Sequence, residues 1–165
     1  MAASPQPVVD AKRELLRHAL ATIAYRGGKT LRGAPAEFGD FRLDDVGRTP
    51  AQILAHMGDL MDWALSIAQG NQKWSDAKPL AWDDEVKRFF AALKAFDDYL
   101  ASVQPLHASA EALFQGAIAD ALTHIGQLAM LRRVAGLKMK GENYYRAEIV
   151  VGRVGAEQAA PKKEF

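Results

Sequence analysis

The chain has 165 residues, with 21 basic against 20 acidic side chains and a formal net charge of +1. That balance gives no electrostatic footprint for nucleic acid or for an anionic membrane surface. The sequence contains no cysteine, which excludes disulfides, thiolate zinc sites and a cysteine nucleophile.

The length suits one domain with a real core. The N-terminal "MAASPQPVVDAKREL" has no basic segment followed by an apolar run, and no stretch is apolar enough to span a membrane. The expectation is therefore a cytoplasmic protein without a membrane anchor. A first helix is expected from Val8 to Tyr25, where Leu15, Leu16, Ala19, Leu20 and Ile23 make an apolar stripe, and Gly27-Gly28 reads as its stop. "RGGKT" is not a phosphate loop, because Ile23 stands where that motif needs its first glycine. A connection from Lys29 to Arg48 follows, and its length marks it as a crossover over the end of a bundle.

The second helix has a clear start. Thr49 fits the N-cap and Pro50 the first helical position, and Ile53, Met57, Leu60, Ala64 and Ile67 carry its stripe to Gly70. The third opens near Asp83, with Val86, Phe89, Phe90, Leu93, Phe96 and Leu100 at helical spacing. The fourth runs from about Ala108 to Ala135, capped by Gly136. Beyond it "NYYRAEIVVGRVG" reads as extended or irregular, and "AEQAAPKKEF" as a solvated, frayed tail. The fold class that follows is all-α. It is a four-helix bundle in one domain, with a core over residues 8–136, a long crossover between helices one and two, and an irregular C-terminal extension over 137–165.

The chemistry concentrates in "DALTHIGQLAMLRR", where Asp120 and His124 interrupt an apolar segment. At about 100° per residue they lie about 40° apart on one helix face, with Gln127 about 20° to the other side of Asp120. A carboxylate and an imidazole at i and i+4 can converge on one divalent cation, or simply hydrogen-bond to each other on a half-exposed face. Of the four histidines, His56 flanks the apolar stripe of the second helix and can point into a groove against the fourth. His18 reads as surface, and His107 as surface or helix capping. Asp59 and Trp63 share the neighbourhood of His56. Arg132 and Arg133 read first as cations favoured by a helix C-terminus, and second as contacts for an anionic substrate.

"TPAQILAHMGDLMDWAL" and "ADALTHIGQLAMLRRVAG" together resemble the two signature segments of the DinB/YfiT-like superfamily of four-helix-bundle proteins, a resemblance extending over residues 8–155. It implies one divalent metal held by a second-helix histidine, here His56, and by an H-x-x-x-H pair in the fourth helix. The second member of that pair, followed by x-G-Q, is His124, and Asp120 stands where the family has the first. The implied site is a two-histidine, one-carboxylate set suited to zinc, nickel or ferrous iron. Asp59, Trp63, Gln127 and Arg132 are candidate surrounding residues, with Tyr144 and Tyr145 as a cover from the tail. The resemblance also implies a homodimer and a small-molecule substrate, and points to a transferase drawing on a low-molecular-weight thiol, which this cysteine-free chain would take from a cosubstrate. Two alternatives stand beside it: a metal-dependent hydrolase with Asp59 as general base, and a non-catalytic bundle that binds a partner or dimerises.

Overall fold

A computed structural model describes residues 10–165. The fold is all-helical, with α1 (Ala11–Leu31), α2 (Pro50–Ala68), α3 (Trp82–Ala101), α4 (Ala110–Leu113) and α5 (Ala119–Val134). A π-helical turn, Phe114–Ile118, joins α4 to α5, so the two make up the fourth helix of the bundle. No helix among the described residues is long and apolar enough to cross a membrane.

Three of the helices, α1, α2 and α4, begin at side-chain caps. Asp10 accepts from the backbone N–H of Lys12 and Arg13 at the head of α1. The expected start at Val8 lies outside the described residues. Thr49 and Gln52 form a reciprocal capping box at α2, with Pro50 at its first position. Ser109 caps α4, and three acids in the first turn of α3, Asp83, Asp84 and Glu85, complement its dipole.

α1 does not stop at Gly27-Gly28. It continues to Leu31, and the chain turns at Gly33, whose φ of 69° no β-carbon tolerates easily. The two glycines act in packing instead: a β-carbon at Gly27 would lie 3.4 Å from the Phe89 ring and 3.7 Å from Ile125. Both glycines are buried within α1, Gly27 facing α3 and α5 and Gly28 facing Phe90 and Gln158, at some cost in helix propensity.

α2 packs against α3 and α5, and α1 packs against the same two helices, so α1 and α2 sit diagonally. That arrangement explains the long crossover, which must span the end of the bundle. On its way a short 3₁₀ turn, Ala36–Asp40, inserts Phe38 edge-on against Trp82, ring centroids 5.4 Å apart. Between the helices Leu20, Ile23, Leu54, Met57, Met61, Phe89, Leu93, Phe96, Ile118 and Leu128 are fully buried.

The C-terminal extension is irregular, as its sequence suggests, but it is not a frayed tail. Val154 is buried, and the Phe165 N–H bonds the Gly141 carbonyl. Glu142 accepts from Tyr25 Oη at 2.6 Å and from Lys29 Nζ at 2.7 Å, and Lys29 also reaches Glu164 at 2.9 Å. Lys29 therefore clamps both ends of the extension onto α1.

Candidate metal centre

His56 sits two turns into α2, and Asp120 and His124 one turn apart on the adjacent helix α5. The three converge. Asp120 Oδ2 lies 3.6 Å from His56 Nε2, and Oδ1 lies 3.4 Å from His124 Nε2. One donor atom from each residue falls within 4.8 Å of the others. The two imidazoles meet nearly perpendicular, ring centroids 4.8 Å apart.

These separations are long for hydrogen bonds. The two carboxylate–imidazole separations are near the spacing of about 3–3.5 Å expected between ligands that each stand about 2.0–2.2 Å from one divalent ion, and the set as a whole, within 4.8 Å, would draw in slightly around one. The donor set, two imidazole nitrogens and one carboxylate, fits zinc, nickel or ferrous iron. His124 is 9% exposed, whereas the Asp120 side chain is 46% exposed, so the set is anchored on its inner side and open on its outer side.

The protonation pattern suits ligation. His124 Nδ1 lies 2.8 Å from Gln127 Oε1, which in this orientation can only accept. With that orientation Nδ1 is the donor, which leaves Nε2, on the Asp120 side, available as a ligand atom. Gln127 so fills the outer role in which a partner fixes a ligating histidine's tautomer and orientation. Burial, followed by the proximity of His124 and Arg48, holds the His56 pKa below its usual 6.5, while Asp120 pulls the other way. His56 is accordingly neutral near pH 7.

Trp63 lies beside this set. It lines a cleft of about 440 Å³ next to Asp120 together with Leu60 and Thr123. Its ring is edge-on to Trp74 at 5.9 Å, and Trp74 is in turn edge-on to His56 at 5.6 Å. Sequence reasoning missed Trp74, whose only signal is a lone large aromatic in the polar stretch "NQKWSDAKP".

Asp59 is not a free base. It is buried on the same helix as His56, paired through Oδ1 with Arg88 and accepting the Ala77 N–H through Oδ2 at 3.0 Å. Arg88 also pairs with the fully buried Glu85 at 2.8 Å, and Glu85 accepts the Leu80 N–H at 2.8 Å. With the Ser66 hydroxyl bonded to Lys73, these contacts fasten the segment that carries Trp74. The role of Glu85 and Arg88 was hidden in an ordinary i,i+3 charge pair.

Arg132 lies two turns from His124 and belongs to another task. It is buried and donates to the Thr30 and Arg32 carbonyls at 2.6 and 2.8 Å, closing the C-terminus of α1. The tail tyrosines do not cover the site: Tyr144 packs on Tyr25 and Arg26, and Tyr145 is 98% exposed. His18 is exposed, and His107 sits in the link before Ser109, its N–H on the Ala68 carbonyl. Comparison of the chain with protein-family models, with curated proteins and with solved structures gave no match.

Proposed function

We propose that this chain binds one divalent transition metal through His56, Asp120 and His124. We further propose that it is a DinB-like, homodimeric, metal-dependent transferase that acts on a small molecule with a low-molecular-weight thiol as cosubstrate. The observation that carries the reading is the convergence of three donor atoms from two adjacent helices within 4.8 Å, at one open face. Three protein ligands leave coordination positions for an exogenous group. A divalent ion there supplies Lewis acidity and lowers the pKa of a thiol or water.

The chain's own residues prepare that chemistry. Gln127 holds the His124 ring, burial keeps His56 neutral, and Asp120 supplies the negative charge that a dication requires. Trp63 and Trp74 stand edge-on as an aromatic flank beside the set. The hydrolase alternative loses its proposed base, because the Asp59 carboxylate is already paired with Arg88.

Elemental analysis of tag-free wild type, His124→Ala and Asp120→Ala tests the metal reading. About one equivalent of metal in the wild type, lost in both variants, is the expected result. A wild type that retains none after incubation with zinc or nickel and desalting overturns it, and leaves a non-catalytic bundle. Metal-dependent conjugation of a thiol to a model electrophile tests the transferase step.

A further inference from the structure

His56 also lines a second cleft, whose other walls do not include Asp120. It has about 400 Å³ and opens between α2 and the segment following Trp74, lined by Arg48, Gln52, His56, Asp59, Asp76 and Lys78 among others. Gln52 and His56 stand at i and i+4 on one face of α2, and Arg48 lies just before its N-cap. Gln52 Oε1 is occupied by the Thr49 N–H at 2.8 Å, which leaves its amide nitrogen as a donor.

The charges in this cleft are unequal in kind. Asp59 is neutralised by Arg88, and its second oxygen is taken by Ala77. Arg48 and Lys78 are both exposed and make no ion pair among the described residues. Asp76 is the one carboxylate of the lining left open. Two unspent cations and a free amide donor thus border the candidate metal centre, against one unspent carboxylate.

We infer that this cleft binds the carboxylate end of a small-molecule substrate or cosubstrate, held by Arg48, Lys78 and Gln52 while its reacting end reaches His56. A planar carboxylate matches the fork of an arginine and accepts from the lysine and the amide. The inference deepens the proposed function and rests on it only for what happens at the reacting end. The cleft's preference for a carboxylate depends on its own residues.

The test uses succinate as probe and its neutral diamide, succinamide, as control. Backbone amide resonances of Gln52, Ala77 and Lys78 are followed by NMR in the full chain, and cobalt retention is measured on the same samples. Saturable shifts with succinate, none with succinamide, and binding weakened at least about tenfold in Arg48→Gln/Lys78→Gln are expected. Both residues are exposed, so the double variant keeps the fold, and Asp76→Asn should tighten binding. Shifts that are absent, unchanged in the double variant, or matched by chloride at equal ionic strength overturn the inference. Cobalt retained without a succinate response overturns the cleft alone. A succinate response without cobalt supports the cleft and overturns the metal reading.

Discussion

Two polar clusters share α2 less than one turn apart, and they differ in how their charges are satisfied. Around Arg88, the buried carboxylates of Asp59 and Glu85 each meet the guanidinium and one backbone N–H. Around Asp120, the carboxylate faces two imidazole nitrogens at distances too long for good hydrogen bonds. The first cluster is closed on itself and fixes a loop. The second is held in place by Gln127 and by packing, and its carboxylate stays half-exposed. A closed cluster has no capacity left for a ligand, whereas two imidazoles and a carboxylate gathered at one open face keep theirs.

The largest effect should come from breaking the closed cluster. Arg88→Met leaves two carboxylates unpaired at 1% and 0% side-chain exposure, and removal of one partner from such a set costs about 3–5 kcal/mol. Urea denaturation reads this directly, and a loss below about 1 kcal/mol would show that water reaches Asp59 and Glu85. His124→Ala should behave in the opposite sense. The metal-free protein should lose only about 1 kcal/mol, the scale of one hydrogen bond to Gln127. The rise in Tm on adding zinc or nickel should vanish. A wild type whose Tm ignores both metals would place the second cluster in the same structural class as the first.

Gln127→Ala sharpens the contrast further. Its side chain touches no ligand position, only His124 Nδ1. Loss of such an outer partner lowers metal affinity about 10- to 100-fold. Competition with a chromogenic chelator measures it, and Gln127→Glu should restore affinity because it also accepts from Nδ1. An unchanged affinity in Gln127→Ala would mean that packing alone orients the ring.

The helices and the i,i+4 pair in α5 were legible because each is a local pattern. Thr49-Pro50 names its own helix start, and Asp120 and His124 are placed on one face by helix geometry. What stayed hidden depends on partners far along the chain. Gly27-Gly28 reads as a stop until Phe89 is packed against it. Arg132 reads as a cation for its own helix end until the α1 carbonyls meet it. Asp59 looks like a free base in α2 because Arg88 lies in another helix. The tail looks solvated because its composition is polar, yet Lys29 of α1 holds it through Glu164, and Phe165 N–H bonds the Gly141 carbonyl. Trp74 comes to His56 only because three separate anchors fold its loop back, and no single window of sequence contains them.

The smallest effect concerns protons at His56. Burial disfavours the imidazolium, so in the metal-free protein the ring titrates below its usual 6.5. The unfolded chain titrates at the ordinary value. Within the window between the two, the unfolded state binds more protons, and stability falls as the pH drops from 6.5 through the folded value. Above that window the histidine is neutral in both states and its contribution is complete and constant. Asp120→Asn removes the carboxylate that raises the pKa, so the folded value should drop further and the acid-side loss should grow. NMR titration of the histidine rings, with urea midpoints between about pH 5 and about pH 8, follows both. A His56 pKa at or above the ordinary value would mean that Asp120 outweighs burial, and one that is unchanged or rises in Asp120→Asn would mean that the carboxylate does not act on His56. In the metal-loaded protein the same ring should not titrate until acid displaces the ion, because ligation requires the neutral form. The pH at which His56 first protonates then reports whether a proton or a cation occupies the space in front of Asp120.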